Sequence, residues 1–361
     1  MTWTPPLREE LRGVEPYGAP QLDVLVQLNV NENPYGPSAA LIADMSASVG
    51  AVAGRLNRYP DREFVELRTA LAYYLGNEAG VDLAAENIWA ANGSNEVMLQ
   101  LLQAFGGPGR TALSFAPTYS MYPEYARDTH TAWVAGRRHS DFSFDMAHAR
   151  ELIAHHRPSV VLLPSPNNPT GTALPPEVVG ELAKLVGDGV LVIDEAYAEF
   201  RRDGTPSALE VLAAHPNLVV TRTMSKAFAL AGARVGYLAA SPQICDAIRI
   251  VRLPYHLSAV TQAVALTALS HADDLLSRVS DLRFERDALV AWLREQEYDV
   301  AESDANFVLF GLFEDRHAIW QGLLDHGVLI RETGPDGWLR VSVGTPEEMA
   351  AFRSALLEVD R

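Results

Sequence analysis

Four short aliphatic runs in the middle of this chain each stop abruptly at a cluster of polar residues. Ile88-Trp-Ala-Ala91 runs into Asn92-Gly-Ser-Asn95, and Leu162-Leu163 into Pro164-Ser-Pro-Asn-Asn-Pro-Thr-Gly171. Val190-Leu-Val-Ile193 ends in Asp194-Glu-Ala-Tyr197, and Val219-Val-Thr-Arg222 in Thr223-Met-Ser-Lys-Ala-Phe228. Continuous apolar runs of this length suit strands buried on both faces, as in a mostly parallel sheet covered by helices. Strands are accordingly expected at 111–115, 160–163, 190–193, 218–221 and 235–239. Pro176 to Val186, with proline at its start and Gly187 beyond its end, reads as a helix between them. So does Asn95 to Phe105, with Val97, Met98, Leu101, Leu102 and Phe105 on one face.

The fold class is therefore α/β: a large domain with a mostly parallel sheet flanked by helices, plus a smaller α+β domain. The division expected is 1–34 as an N-terminal arm packing on the smaller part, 35–255 as the large domain, and 256–361 as the small one. Residues 258–298 read as helical in more than one piece, 306–310 and 338–343 as strands, and 346–357 as a closing helix.

With 46 acidic against 29 basic residues, the formal charge is -17, the wrong sign for a nucleic-acid surface. A phosphate-bearing small ligand is still compatible, because a few arginines and backbone amides can hold one. Cys245 is the one cysteine, so no disulfide forms within the chain. No apolar run reaches the ~18 residues of a membrane span, and the start resembles no signal peptide, which makes the cytoplasm the expected location. No metal motif is present, and Gly107-Pro-Gly109-Arg-Thr-Ala112 is a turn, since it follows a helix and precedes a strand, the reverse of a dinucleotide site. His155-His156, at the end of a helical pattern, is expected to be exposed.

In open α/β sheets ligands bind beyond the carboxyl ends of the strands, so the four polar clusters converge on one place. Lys226 follows a buried strand and precedes small apolar residues. A lysine drawn into such surroundings loses solvation, its pKa falls, and its free amine becomes a nucleophile for carbonyls. Asp194 either caps a turn or holds a cationic heterocycle, as the carboxylate partner of a pyridinium nitrogen does. Tyr197 lies near enough to bond the same ring. Gly93-Ser94-Asn95 at a helix start suits an anion cradle, although Ser94 could be a simple N-cap. Thr223, Ser225 and Arg234 complete the cradle, with Arg234 as its fixed positive charge.

Taken in order, Asn168-Pro-Thr-Gly171, Asp194-Glu-Ala-Tyr197, Ser225-Lys226 and Arg234 resemble the fold-type I, class II pyridoxal-phosphate-dependent aminotransferases. A narrower resemblance, to the histidinol-phosphate aminotransferase family, covers nearly the whole chain. It rests on Leu28-Asn-Val-Asn-Glu-Asn-Pro-Tyr-Gly36, Asn57-Arg-Tyr-Pro60, Ala116-Pro-Thr-Tyr-Ser-Met-Tyr122 and Arg222-Thr-Met-Ser-Lys-Ala-Phe-Ala-Leu-Ala-Gly232. Arg252-Leu-Pro-Tyr-His-Leu-Ser258 and Asp304-Ala-Asn-Phe-Val-Leu309 add to it.

The resemblance implies pyridoxal 5'-phosphate as cofactor and Lys226 as the Schiff-base lysine and proton shuttle. Asp194 would pair with the pyridine nitrogen, Tyr197 and Asn168 would bond the ring oxygen, and Tyr119 would stack on the ring. Gly93, Ser94, Asn95, Thr223, Ser225 and Arg234 would surround the phosphate. Tyr59 would reach the cofactor of a neighbouring subunit, implying a homodimer with shared sites, or else be a plain surface tyrosine. The implied reaction is transamination of L-histidinol phosphate with 2-oxoglutarate, giving imidazole-acetol phosphate and glutamate in histidine biosynthesis.

One site must then take a phosphate and a carboxylate in turn, which arginine forks suit. Period-two alternation sets Arg340 opposite Leu339, Val341 and Val343, and the family assigns it to the substrate anion. Arg331 is the second candidate, its alternative being an exposed ion pair, and Tyr17 and Asn31 follow. Three other readings compete: an aromatic (phenylalanine) aminotransferase, a threonine-phosphate decarboxylase, and a non-catalytic pyridoxal-phosphate-binding regulator. The last would need a DNA-binding region, and no basic patch is visible for one.

Overall fold

The structure, a computed structural model, describes residues 3–360. Met1, Thr2 and Arg361 of the outer segments lie outside the described residues. A short strand β1 (Val26–Gln27) and helices α1 (Ala39–Ala53) and α2 (Val65–Ala79) lead into a sheet region. There follow β2 (Ile88–Ala91), α3 (Ser94–Phe105), β3 (Thr111–Ala116), α4 (Tyr122–Asp128), β4 (Ala132–Arg137), α5 (Met146–His156) and β5 (Val160–Pro164). The region ends with α6 (Pro176–Val186), β6 (Val190–Asp194), β7 (Leu218–Thr223), β8 (Gly236–Ala240) and α7 (Pro242–Val251). The strands form one seven-stranded sheet in the order β2-β8-β7-β6-β5-β3-β4. All neighbours are parallel except β8, which runs antiparallel between β7 and β2.

Every residue of β2, β5, β6 and β7 is buried, which is why these strands read as unbroken apolar runs. The antiparallel insertion has a consequence for the site. The start of β8, Gly236, pairs with both Thr223 and Ala91, the terminal residues of β7 and β2. A Cβ on Gly236 would lie 2.0 Å from the Ser94 nitrogen, so only glycine lets β8 pass beneath the first turn of α3.

Helices α8 (Ala259–Ser270), α9 (Ala272–Leu276) and α10 (Val279–Glu295) lead to the C-terminal part. It contains β9 (Asp299–Val300), β10 (Phe307–Gly311), α11 (Arg316–Asp325), β11 (Val328–Leu329), β12 (Leu339–Ser342) and α12 (Pro346–Val359). In the three-stranded antiparallel sheet β12-β10-β9, Phe310 meets Phe352 of α12 with ring centroids 5.8 Å apart, while Phe307 on the opposite face meets Tyr197 at 5.0 Å; Leu339 and Val341 belong to the same core. Burying each of these contributes ~1.5–3 kcal/mol against chain entropy.

Ala265, Ala268 and Leu275 belong to the larger core, whereas Val279 opens the C-terminal share of the smaller one. From this membership we propose a division between the two cores near residue 276 rather than at 255. Periodicity alone shows a helix but not which core its apolar face meets. The N-terminal segment touches both parts: β1 pairs with β11, while Arg8 and Tyr17 reach His130 and Ser120 of the large part. Tyr197, Phe200 and Ala227, carried by the large sheet's loops, are packed in the smaller core. The polar strand ends thus lie on the seam.

Candidate active site

A cavity of about 250 Å³ opens at the carboxyl ends of β2, β5, β6 and β7. Lys226 reaches it from the turn after β7 and donates a hydrogen bond from Nζ to the Val30 carbonyl at 2.7 Å. Burial first, and then the Arg340 and Arg234 charges, push its amine down to about 8. Near neutral pH roughly a tenth of it is therefore already the free nucleophile.

Asp194, the last residue of β6, is only 6% exposed and both its oxygens accept hydrogen bonds. Oδ1 accepts from the Thr221 hydroxyl at 3.0 Å and Oδ2 from the Tyr122 hydroxyl at 3.1 Å. Burial raises its pKa to about 6, while the bonds from Thr221, Tyr122 and the Ala196 amide hold it down. It is no turn cap. A buried carboxylate in this state favours a cationic partner from the cavity.

Tyr197 accepts two hydrogen bonds at its hydroxyl, from Asn31 Nδ2 at 3.0 Å and Asn168 Nδ2 at 3.3 Å. The Asn168 amide has a fixed sense, because its Oδ1 accepts from Arg340 Nη1 at 2.6 Å and arginine can only donate. With its oxygen occupied by two donors, the Tyr197 proton is free for an acceptor in the cavity. Asn31 has a left-handed backbone (φ 55°) and is held by Ser342 through its amide and its Oδ1.

Around the α3 N-terminus, Gly93 has φ 88°, and a Cβ there would lie 2.4 Å from Arg234 Nη2. Gly93 is the residue that caps α3, so Ser94 is the first helical residue and its hydroxyl is not used as the cap. Arg234 donates to Ser225 Oγ at 3.3 Å and to the Ala231 carbonyl at 3.1 Å. Thr223 Oγ1 accepts from the Ser225 amide at 3.1 Å. Ser94, Asn95, Thr223, Ser225 and Arg234 all line the cavity, facing unpaired helix amides.

Across from Lys226 stands Arg340, 6% exposed. Its Nη2 donates to the Asn29 carbonyl at 2.9 Å, and its Nε is buried without a partner. Burial pushes the guanidinium down to about 10, with Arg331 adding to the fall. Arg331 and Arg340 are backbone-paired neighbours, and Arg331 Nη2 lies 3.4 Å from the Gly18 carbonyl. The described residues place no carboxylate within 4.0 Å of Arg340, Arg331 or Arg234. The surface ion pair weighed for Arg331 is absent; it lines the cavity with Tyr17, whose hydroxyl meets Ser120 Oγ at 2.8 Å.

Residues 23–356 match the aminotransferase class I and II family. The chain belongs to that family. Among relatives of this aminotransferase, a histidinol-phosphate aminotransferase of Thermobifida fusca is 63% identical over 98% of this chain and 95% of its own. One from Bifidobacterium longum is 60% identical over 99% of this chain and 97% of its own. A solved histidinol-phosphate aminotransferase from Sinorhizobium meliloti, in complex with pyridoxal-5'-phosphate, superposes with a TM-score of 0.82. It is 26% identical, covering 93% of this chain and 91% of that one.

The donor set of this aminotransferase fits pyridoxal phosphate on its own chemistry. A buried carboxylate suits the ring nitrogen, a phenol with a free proton suits the ring oxygen, and helix amides with an unpaired arginine suit the phosphate. Tyr119 is half-buried beside Tyr122, ring centroids 5.5 Å apart, with its hydroxyl 3.5 Å from Asn95 Oδ1. Tyr59 is not in the cavity of its own chain; it is 80% exposed and stacks on Tyr255 at 4.4 Å. His155 is exposed and His156 half-buried. Two residues that support Asp194 escaped the sequence reading. Tyr122 lies inside a quoted motif and Thr221 inside a strand, but nothing local shows that both point at one carboxylate.

No helix among the described residues is long and apolar enough to cross a membrane. None of their His, Cys, Asp and Glu side chains form a group suited to a metal ion.

Proposed function

We propose that this aminotransferase moves the amino group of L-histidinol phosphate to 2-oxoglutarate, giving imidazole-acetol phosphate and glutamate in histidine biosynthesis. The supporting observation is Arg340: a buried guanidinium with an unused Nε and no carboxylate partner, facing the same cavity as Lys226. Such a charge is costly unless an anion completes it, and its planar fork accepts either phosphate or carboxylate. The near full-length identity to histidinol-phosphate aminotransferases points to the phosphate ester as donor.

Bound pyridoxal phosphate supplies an electron sink for the charge left when the donor's amine-bearing carbon loses its proton. Lys226 holds the cofactor and moves that proton at Nζ, its basicity suited to neutral pH. Asp194 keeps the ring nitrogen protonated, and Tyr197 with Asn168 orients the ring oxygen. Gly93, Ser94, Asn95, Thr223, Ser225 and Arg234 hold the phosphate, and Tyr119 covers the ring. Arg340, Arg331, Tyr17 and Asn31 bind the substrate anion. Tyr59 completes the site of a second copy, so the working unit is a homodimer with shared sites, and the location is the cytoplasm.

Turnover of a panel of amine donors with 2-oxoglutarate tests this reading. Histidinol phosphate should lead the panel. A large preference for phenylalanine would overturn the donor assignment, and no turnover of any amine would overturn the activity.

A further inference from the structure

Behind the site, on the opposite face of the same two strand ends, lies a cluster of buried charges. Strand alternation turns Thr221 and Thr223 toward the cavity and Arg222 away from it. Arg222 is 0% exposed. Its Nε donates to Glu195 Oε2 at 2.9 Å, its Nη1 to Glu199 at 3.1 Å and its Nη2 to Glu78 of α2 at 3.1 Å. Arg201 joins Glu78 at 3.0 Å and Glu195 at 3.5 Å. Glu195 also accepts from the Ser207 hydroxyl and the Ala208 amide, both at 2.7 Å.

Glu195 is the residue next to Asp194. An anion so placed opposes the charge of its neighbour, and its effect on Asp194 is to raise the pKa. Arg222 and Arg201 face that anion from the other side, Arg222 at hydrogen-bond range. We infer that Arg222 is a positioning residue for the cofactor site: it ties the ends of β6 and β7 together and neutralises Glu195, so that Asp194 faces the cavity as a carboxylate.

The remaining groups around this arrangement are accounted for. Tyr122 and Tyr125 face Asp194 from α4, and Tyr119 and Tyr197 from the cavity walls. On the far side, Tyr237 of β8 faces Arg222, and Tyr74 of α2 donates to Glu199 at 3.3 Å. Phenols are neutral near pH 7, so Glu195 is the nearby anion whose balance Arg222 controls. The cluster holds three carboxylates against two guanidiniums, and removing Arg222 would leave Arg201 alone against Glu195 and Glu78.

The inference rests on the reading of the cavity as a pyridoxal-phosphate site. Its test is the pH dependence of pyridoxal-phosphate binding to the full chain, followed by the visible absorption of the bound form. As pH falls through about 6, Asp194 takes up a proton and can no longer balance a protonated ring nitrogen, so binding weakens. Arg222→Gln should move this acid limb up by about one pH unit, with roughly fivefold weaker binding at the old midpoint. Glu195→Gln should move it down. The charge-neutral pair Arg222→Gln/Glu195→Gln should return it to near the parent value, and Arg222→Lys should fall between.

A purely structural role would leave the pair variant no better than Arg222→Gln, and that result overturns the inference. A folded Arg222→Gln protein with an unmoved limb does the same. Should Arg222→Gln not fold, Glu195→Gln decides, since an unmoved or raised limb contradicts the charge argument. Failure of the parent protein to bind pyridoxal phosphate is a different outcome and defeats the functional reading instead.

Discussion

Replacing Arg340 by methionine sets stability and function against each other. In the free protein the Arg340 charge is an expense: burial lowers its pKa from 12.5 to about 10, equivalent to about 3 kcal/mol. Because the folded pKa lies below the unfolded one, that penalty is fully present at neutral pH and fades only as pH rises past about 10. Against it stand the hydrogen bonds to Asn168 and the Asn29 carbonyl, whose acceptors would be left unsatisfied at about 1–3 kcal/mol each. The two effects are of similar size, so Arg340→Met should change folding stability by no more than about 3 kcal/mol in either direction.

Substrate binding has no such offset. Losing the cation opposite a buried anion costs about 2–5 kcal/mol, or roughly 30-fold to several thousand-fold in kcat/KM. The loss should fall mainly on KM, for both the phosphate ester and 2-oxoglutarate, since the anion stays bound throughout the reaction. Steady-state kinetics for the two substrates, alongside thermal unfolding without them, measures both sides. Values of kcat/KM within about threefold of the parent for both substrates would refute the assignment.

Lys226→Ala should lose transamination and the visible band of the bound cofactor together while remaining folded; a retained rate would remove Lys226 from the chemistry. Asp194→Asn removes a carboxylate whose burial costs about 3 kcal/mol above its raised pKa of about 6, a cost that fades as pH falls below it. The variant should hold or gain thermal stability at neutral pH and lose cofactor affinity; a large loss of stability would contradict the burial argument. Tyr122→Phe deletes one bond to the Asp194 carboxylate, worth about 1.5–3 kcal/mol, and should raise the acid limb of cofactor binding, as titration would show. Gly93→Ala places a Cβ against Arg234 at a backbone angle disfavoured for alanine, and should weaken cofactor binding more than it changes the pH profile.

Local chemistry is enough to find the strands around the site. The runs Val190 to Ile193 and Leu218 to Thr221 are apolar because both faces of a parallel strand are covered, and polarity returns where the strand leaves the sheet. This boundary makes Asp194, Lys226 and Asn168 legible as candidate site residues before any contact is known. Helices such as Pro176–Val186 are equally legible, because their caps and periodicity are local.

Other features depend on pairs of residues distant in sequence. Periodicity finds the helices after residue 258, but only packing shows that Ala265 joins the larger core and Val279 the smaller. Tyr122 and Thr221 carry no mark of the carboxylate they share, and Arg222 reads as one more charge until Glu78, Glu195 and Glu199 close around it. The sequence alone determined the buried strands and the chemical types at their ends, since those follow from local hydrophobicity and backbone preference. Which charges are balanced was decided by the tertiary structure, because burial and partner distance set the electrostatics of Asp194, Lys226 and Arg340.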